Sequence, residues 1–432
     1  MYDKPDVNNN GDRSEAKRIK LLFASDSFKG SLSSEQTAVL LGRAARCVFD
    51  DPETDSIQAA DGGEGTAAAV IDAVNGQRRD DAGQVAAEGN SAGRDAAEGN
   101  AAGRMVCADV HDPLMRPISA QYGMITDDTG SMTAVIEMAA ASGLTLLSEE
   151  ERDPLVTSTF GTGELVLDAL DKGCRNFVMA IGGSATNDGG TGFLRALGVR
   201  LLGSEDEELE GRGCDLVHMT RIDASGLDPR IRESQFTVMC DVTNPLCGLE
   251  GATMVFGPQK GADDSMAEQL EHGMCNWRDL IKEWSGIDCD EVKGAGAAGG
   301  LGAALFVFLG GKMRSGIDTL LDLAGFEERL EGCSLVVTGE GRTDRQSAYG
   351  KVVSAVGERA RKKGVPVIAL SGSLGEGYEA VYEHGVKKIY ITKPEGMSLR
   401  EAMRFAEELY YEAAVRMFRS EAVQILCAEA AR

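Results

Sequence analysis

The stretch RIKLLFASDSFKGSLSSEQTAVLLGRAARCVF (18–49) decides the fold. An apolar run, RIKLLFA, is followed by the polar segment SDSFKG and then by a helical pattern. Ser33 and Gln36 have the spacing of a capping box at a helix N-terminus. One face of this helix is predicted to carry Val39, Leu40, Ala44, Cys47 and Val48. The stretch therefore predicts a strand, a loop and a helix.

The same order of apolar run, polar loop and helical pattern recurs along the chain. DSIQAA leads into DGGEGT, NFVMAI into GGSATNDGG and FTVMC into DVTNPLCG. Near the C-terminus, CSLVVT precedes GEGRTDRQ, VPVIAL precedes SGSLGEG, and KKIYIT precedes KPEGMS. Short connections of this kind favour parallel strands. Because ligands of open α/β sheets bind beyond the carboxyl ends of the strands, these loops are the candidate site.

The predicted fold is α/β with two α/β domains. Both chain ends, residues 18–75 and 290–425, form a Rossmann-like parallel-sheet domain, and residues 105–289 form a second α/β domain inserted between them. GAGAAGGLGAAL (294–305) carries the chain back, and the active site is expected in the cleft. Residues 1–17 are predicted to be a disordered tail. Residues 76–104, which contain the near-repeat AAEGNSAGRD and AAEGNAAGRM, are predicted to be a low-complexity insertion.

Charge and cysteine usage exclude several classes of partner. The 69 acidic and 44 basic residues give a formal net charge of −25, which argues against binding nucleic acid or anionic membranes. No apolar run approaches the length of a membrane span, so we expect a cytoplasmic protein, and we allow for a homodimer. The cysteines show no C-x-x-C pair and the histidines no metal-ligand spacing, which argues against a zinc site and favours a metal held by oxygen.

Two loops of the chain-end domain bring charged groups to strand ends. Asp26, Ser27 and Lys29 follow the first strand, where the lysine would contact a phosphate or carboxylate oxygen. A solvated loop lysine is the alternative. In GEGRTD, Arg342 would neutralise substrate charge, and Glu340 and Asp344 would hold Mg²⁺; a surface ion pair explains these residues equally well.

Other loops offer bare backbone and further oxygen ligands. Asp61, Gly62 and Gly63 lie in DGGEGT, where exposed N–H groups suit a polar ligand, although a glycine-rich turn is the alternative. Asp241 follows FTVMC and adds a carboxylate, either as a catalytic group or as a Mg²⁺ ligand.

IGGSATNDGG (181–190) matches neither a P-loop nor a full G-x-G-x-x-G motif. A strand that runs into glycines and a helix start gives backbone donors and the positive end of a helix, a combination that binds anions. Gly182, Gly183, Ser184 and Asn187 are therefore candidate phosphate ligands, with a simple glycine turn as the alternative.

Together these loops hold carboxylates, a lysine, an arginine and many bare amides, with little aromatic or histidine content. That inventory favours phosphoryl transfer, in which positioning and charge neutralisation provide most of the catalysis. A nicotinamide-dependent oxidoreductase of hydroxy acids is a competing class, but a full dinucleotide motif is absent. A non-catalytic sugar-acid binding module is a third.

The chain resembles the bacterial type 1 glycerate kinase family, from about Lys20 to about Arg416. The resemblance rests on ordered segments that include ASDSFKGSLSS, ADGGEGT, HDPLMRP, STFGTGELVLDAL, IGGSATNDGGTGFLRALG, DVTNPLCGLEGATMVFGPQKGA and TGEGRTDRQSAYGK. It implies an ATP-dependent kinase of glycerate with Mg²⁺, yielding 2-phosphoglycerate. A kinase of a related small hydroxy or sugar acid stays the alternative.

Two positions depart from the family pattern, and one residue is assigned the main catalytic role. Met115 stands where the family's DPL-G-RP pattern has glycine, and Val353 stands where a proline is common. Because it lies directly after the proposed anion site, Asp188 is the first candidate for orienting or deprotonating the glycerate hydroxyl, with Asp241 and Asp61 as rivals. Lys29 is the cation expected to contact substrate or phosphate.

Overall fold

The computed structural model of the protein describes residues 18–59, 65–76 and 103–430. They form two units. Unit 1 contains the described residues up to Ser56, Glu327–Tyr349 and the residues from Val356 onward. Unit 2 contains the described residues from Ile57 to Phe326 together with Gly350–Ala355.

The strands, in chain order, are β1 (Lys20–Ser25), β2 (Glu53–Ser56), β3 (Gly103–His111), β4 (Pro117–Thr126), β5 (Met132–Glu137), β6 (Asn176–Ala180), β7 (Arg200–Leu202), β8 (Arg221–Asp223), β9 (Gln235–Met239), β10 (Lys312–Arg314), β11 (Leu335–Gly339), β12 (Arg342–Thr343), β13 (Val367–Ser371), β14 (Ser373–Leu374) and β15 (Val386–Ile391).

The helices are α1 (Ser34–Val48), α2 (66–76), α3 (Ala139–Ser142), α4 (Phe160–Asp171), α5 (Thr191–Ala196), α6 (Ala252–Phe256), α7 (Asp264–Ser285), α8 (Leu301–Leu309), α9 (Gly316–Leu323), α10 (Phe326–Arg329), α11 (Val352–Lys362), α12 (Leu399–Arg404), α13 (Ala406–Arg419) and α14 (Glu421–Ala430).

Unit 1 is built on a parallel sheet of strand order β15-β13-β11-β1-β2. Its central strands β11 and β13 are buried along their whole length, as expected for strands covered on both faces. β1, α1 and β2 form the predicted strand–helix–strand unit. The predicted capping box Ser33/Gln36 is confirmed at the start of α1, and Ser398/Glu401 forms a second one at the start of α12.

The predicted inner face of α1 is partly wrong. Leu40 and Ala44 are buried as expected, but Val39 is 56% exposed and Cys47 is also exposed. Leu41 is buried instead, since α13 packs along this side of the helix and supplies the partner side chains Tyr410 and Phe418. Contacts with α13 thus determine that the face with Leu41, rather than the face with Val39, is buried.

Unit 2 is built on a mixed sheet of order β10-β9-β6-β5-β4-β3. β3, β4 and β5 pair in antiparallel fashion, whereas β5, β6, β9 and β10 are parallel. β3 alternates between buried and exposed residues, the pattern of a strand with one solvated face. Phe177 and Phe236 stack with ring centroids 4.7 Å apart in its core, which also contains Trp277 from α7 and Leu305 from α8.

Unit 2 includes three segments that the predicted boundaries assign to the chain-end domain: the described residues of 57–75, residues 290–326 and residues 350–355. α2 belongs to unit 2, because Ile71 packs against Gly103 of β3 and Gly123 of β4. α8 also belongs to unit 2, because Leu301, Leu305 and Phe308 join its core. The predicted insertion (76–104) overlaps this unit at both ends, since α2 extends to residue 76 and β3 begins at Gly103; residues 77–102 and the predicted tail lie outside the described residues.

In both sheets, the carboxyl ends of parallel strands lie side by side. Ser25 of β1 is in register with Gly339 of β11 in unit 1. In unit 2, Ala180 of β6 is in register with Glu137 of β5 and with Met239 of β9. The loops that follow these strands are therefore neighbours within each unit.

None of the helices in the described ranges has both the length and the apolar character needed to cross a lipid bilayer.

Candidate functional site

The glycines at the end of the 181–190 loop allow close backbone packing. Gly189 and Gly190 have φ angles of 66° and 75°, which disfavour other residues. A Cβ on Gly189 would lie 2.6 Å from the indole of Trp277, and one on Gly190 would lie 2.6 Å from Ala304 Cβ. Gly189 N–H donates to Gly299 O (2.8 Å), and Trp277 Nε1 donates to Gly189 O (3.0 Å). This half of the loop is held by the segment 299–304 and α7.

Asp188 is fully buried, and its carboxylate connects two helix starts. Oδ2 accepts hydrogen bonds from Thr159 N (2.7 Å), Thr159 Oγ1 (2.7 Å) and Gly192 N (3.3 Å). Oδ1 accepts one from Gly190 N (3.1 Å). Thr159 is the residue before α4, and Gly192 lies in the first turn of α5. The carboxylate therefore fixes the loop against both helices.

This geometry changes the interpretation of the helix start. α5 has only six residues, and the carboxylate of Asp188 already accepts from its first turn, so the protein supplies its own anion there. Burial raises the pKa of Asp188, partly offset by the hydrogen bonds from Thr159. A general base must reach the hydroxyl proton of the substrate. The buried carboxylate, with acceptor contacts at both oxygens, favours a positioning role, and the base role stays a prediction.

Lys260 is a buried cation that the sequence analysis did not single out. Its Nζ donates to Thr186 O (2.6 Å), and the side chain is 1% exposed. Burial lowers its pKa to about 7, and the nearby charge of Asp188 opposes that shift. The lysine thus holds the 181–190 loop through the carbonyl of Thr186, two residues before Asp188. The residue lies in FGPQKGA, but nothing in that pattern distinguishes it from a surface lysine.

The first half of the loop presents backbone donors. Gly183 is exposed and Gly182 is partly exposed, directly after β6, whereas Ser184 is buried. Gly183 O accepts from Leu144 N (2.9 Å), and Ala185 N donates to Ser142 O (2.9 Å). Within the part of the chain that the structure describes, no group accepts from N–H of Gly182, Gly183 or Ser184. These three amides are the donors available to a phosphate.

Asn187, also predicted as a phosphate ligand, is fully buried. Its Nδ2 donates to Thr253 Oγ1 of α6 (2.9 Å). Its Oδ1 is buried, and no described residue donates to it. The side chain points into the protein interior in contact with α6, so it lies with the supporting groups rather than with the amides of Gly182–Ser184.

Carboxylates follow the two strands next to β6. Asp241 is exposed after β9, and its Oδ1 accepts from N–H of Gly316 at the start of α9 (2.9 Å). Glu137, at the end of β5, accepts from Gly65 N (3.0 Å) and Ala67 N (2.6 Å) and so anchors the start of α2. Asp61, Gly62 and Gly63 precede α2 and lie outside the described residues.

Unit 1 brings together its own two groups of predicted site residues. Asp26 N donates to Gly339 O (2.9 Å), and Asp26 Oδ1 accepts from Ser27 N (2.6 Å). A Cβ on Gly341 would lie 3.8 Å from Lys29 N, so the loop carrying Lys29 adjoins the loop with Arg342. Lys29 and Arg342 are both exposed.

The acidic residues of the same loop are more enclosed. Glu340 is buried and accepts from Thr343 Oγ1 (3.2 Å). Asp344 is half-buried, caps the following turn through Gln346 N (2.9 Å), and lies 3.7 Å from Arg342 Nε. The cations and carboxylates of this unit are thus neighbours, as the order of the strands predicts.

Met115 adopts the conformation that its family position suggests for glycine. Its φ is 62°, in the left-handed region. The turn is held by buried Asp112, whose Oδ1 accepts from Leu114 N (2.8 Å) and Arg116 N (2.9 Å). The departure therefore leaves the turn intact and adds local backbone strain.

The fold and these loops define an α/β protein with backbone donors, carboxylates and cations at the ends of parallel strands, a class suited to phosphorylated ligands. The model of the glycerate kinase family matches residues 21–93 and 87–421. The chain is 42% identical to the glycerate kinase of Halalkalibacterium halodurans over 91% of this chain and 96% of that protein, and 42% identical to the glycerate 2-kinase of Escherichia coli K12 over 90% and 94%.

A crystal structure from Salmonella typhimurium LT2, of a protein provisionally named glycerate kinase 2, superposes with a TM-score of 0.76 at 37% identity. The matched region covers 95% of this chain and 99% of the Salmonella chain. The chain therefore belongs to the glycerate kinase family. Membership in a phosphotransferase family confirms the predicted α/β fold class and the resemblance; it does not favour the oxidoreductase alternative.

Proposed function

We propose that the protein transfers the terminal phosphoryl group of ATP to a hydroxyl of glycerate and forms 2-phosphoglycerate. The observation that supports this most is the set of three amides, of Gly182, Gly183 and Ser184, that no described group accepts from. They follow β6 at the strand ends where ligands of α/β sheets bind. Backbone donors arranged in this way suit the oxygens of a phosphate.

Asp188 and Lys260 act as positioning residues in this proposal. Asp188 ties the loop to α4 and α5, and Lys260 holds the peptide at Thr186. Both side chains are buried, so they act through the amides of Gly182–Ser184 rather than on the substrate. Asp241 then becomes the first candidate for orienting the glycerate hydroxyl among the described carboxylates of unit 2, because it is exposed directly after β9. Asp61 stays its rival.

Lys29 and Arg342 are the cations assigned to anionic oxygens of substrate or nucleotide. Both are exposed at adjoining loops of unit 1. Asp26 and Ser27 complete the polar end of β1. Arginine offers a planar set of donors and lysine a point charge, which together suit a phosphate chain.

Mg²⁺ suits the carboxylates that follow the strands of each unit. Asp241, Glu340 and Asp344 offer only carboxylate oxygens, the ligands that Mg²⁺ prefers. Asp241 would hold the ion in unit 2, and Glu340 and Asp344 are the candidates in unit 1. When bound, the ion would neutralise charge on the phosphate oxygens.

We also propose a cytoplasmic location, which suits the ten free cysteines. We further propose a homodimer, and light scattering during size-exclusion chromatography tests this oligomeric state.

A coupled ADP-release assay tests the reaction. We expect ADP release that requires both glycerate and Mg²⁺ and that stops when the divalent cation is chelated. A nicotinamide cofactor should produce no absorbance change with glycerate. ADP release that is equally fast without glycerate, or unaffected by chelation, would contradict the proposal.

A further inference from the structure

Two thiols and a carboxylate converge in unit 2. Cys247 Sγ, Cys275 Sγ and a carboxylate oxygen of Glu271 all lie within 4.8 Å of one another. Glu271 and Cys275 are four residues apart on α7 and so lie on one face of the helix. Cys247 comes from the loop between β9 and α6. The cluster therefore joins a helix to a loop that is distant in sequence.

One oxygen of Glu271 requires a partner. Oε1 accepts from Gly248 N (2.6 Å) and lies 3.8 Å from Cys275 Sγ. Oε2 is buried, and no residue in the described part of the chain donates to it. Burying a carboxylate oxygen without a hydrogen bond costs on the order of several kcal/mol of folding free energy. A buried oxygen without a donor, on the carboxylate that adjoins both sulfurs, thus points to a bound cation.

We propose that Cys247, Cys275 and Glu271 bind Zn²⁺, through two thiolate sulfurs and one carboxylate oxygen, with a solvent molecule as the fourth ligand. Sulfur ligands select zinc over the harder Mg²⁺. Tetrahedral Zn–S bonds of about 2.3 Å place two sulfurs about 3.8 Å apart. Since the ligand atoms already lie within 4.8 Å of one another, they need to approach by about 1 Å at most.

Charged residues lie beside the cluster. Arg278 lies one turn beyond Cys275 on α7, and its Nη1 donates to Asp290 Oδ2 (3.0 Å). Asp290 Oδ1 accepts from Cys247 N (3.1 Å) and so orients this residue. Two thiolates, one carboxylate and Zn²⁺ would carry one net negative charge. Arg278 lies nearby, but its guanidinium is already paired with Asp279 and Asp290. Binding would release the two thiol protons.

Zinc explains more than a disulfide does. A Cys247–Cys275 bond would join the two sulfurs but leave Glu271 Oε2 without a partner. The sequence-based expectation against zinc rested on ligand spacing along the chain. The proposed site departs from that expectation, because folding brings Cys247 to residues 24 and 28 positions further along. Spacing along the chain cannot detect such a site.

The cation would stabilise the loop after β9. This loop contains Asp241, and α7 carries Trp277, whose Nε1 donates to Gly189 O (3.0 Å). A bound Zn²⁺ would link the loop to that helix. Ligands that bind only the folded state raise its stability in proportion to the logarithm of their concentration.

The test measures zinc bound by the full-length reduced protein. After dialysis against Zn²⁺ and removal of free metal, elemental analysis should give one equivalent for the wild type. Co²⁺ in place of Zn²⁺ should give the near-ultraviolet charge-transfer absorption of thiolate ligation. Cys275→Ser should lose both signals, and Glu271→Gln should weaken zinc binding by more than about tenfold. Cys107→Ser, which changes an exposed cysteine of β3, is the matched control and should keep both.

Folding is checked by circular dichroism without metal. Cys247→Ser changes a buried residue, so Cys275→Ser, at a partly exposed residue, is the deciding variant if Cys247→Ser fails to fold. Zinc should raise the melting temperature of the wild type and of Cys107→Ser but not of Cys275→Ser. Absence of zinc in the wild type, or one equivalent retained by Cys275→Ser, overturns the proposal, as does unchanged zinc affinity in Glu271→Gln.

Discussion

Replacing Asp188 by asparagine distinguishes a positioning role from a catalytic one. The carboxylate accepts four hydrogen bonds in a fully buried setting, three at Oδ2 and one at Oδ1. Asparagine keeps one acceptor oxygen and replaces the other with an NH₂ group. In the less costly orientation, the NH₂ group faces the donor N–H of Gly190, and the oxygen keeps the three bonds at the Oδ2 position.

The expected cost follows from these contacts. A buried donor left without an acceptor costs about 1–3 kcal/mol, and the remaining bonds weaken because the acceptor loses its charge. The neutral side chain avoids burying a carboxylate, which offsets part of the loss. We therefore expect Asp188→Asn to lower the free energy of unfolding by about 2–4 kcal/mol. Misplaced amides at Gly182–Ser184 should lower kcat by up to about a hundredfold.

Urea denaturation and ADP release on the same samples measure both effects. Asp168→Asn is the matched control, since this carboxylate on α4 accepts from Tyr122 OH (2.9 Å) and has no contact with the loop among those described. A positioning role predicts lost stability with an unchanged shape of the pH profile of kcat/KM. A loss of kcat of about 100-fold to 10,000-fold at wild-type stability, with a lost acidic limb, would instead make Asp188 the base and refute this reasoning.

Three further predictions concern Lys260, Met115 and Lys29. Because burial lowers the pKa of Lys260 to about 7 from 10.5, the unfolded chain binds more protons between these values, so wild-type stability should rise with pH there relative to Lys260→Met. The upper limit is (10.5 − 7) × ~1.4, or about 5 kcal/mol, and a difference that is constant with pH in urea denaturation would contradict it. Met115→Gly should raise the free energy of unfolding by about 0.5–1 kcal/mol by removing the left-handed strain, and a lower melting temperature would count against that. Lys29→Ala should lower kcat/KM about ten- to a hundredfold at unchanged melting temperature. Lys312→Ala, which changes another exposed lysine, should leave kcat/KM unchanged. Wild-type kinetics in Lys29→Ala would mean that Lys29 is only a solvated loop residue.

The strands, the capped helices and the order of the loops could be predicted from the sequence because they depend on local patterns. Ser33 and Gln36 bond to each other's backbone, so four residues are enough to identify the helix start. Strand ends also predict which loops adjoin, as with Ser25 and Gly339. The inner face of α1 depends instead on the packing of α13, which no local pattern contains.

The roles of the loop residues could not be predicted for the same reason. Asp188 and Gly183 are five residues apart in a polar, glycine-rich segment, yet one is buried and the other is exposed. Their difference arises from Thr159, Trp277 and Lys260, which contact the loop from distant parts of the chain. Sequence thus indicated an anion-binding loop but not which atoms support it and which are free to bind.

The position of the phosphoryl group on the product tests the central claim most directly. The protein is incubated with glycerate, ATP and Mg²⁺, and the product is analysed by proton-coupled phosphorus NMR. We predict a phosphorus signal split by the single methine proton at C2, as in 2-phosphoglycerate. A signal split by the two methylene protons at C3, or no transfer of phosphate to glycerate, would contradict the account.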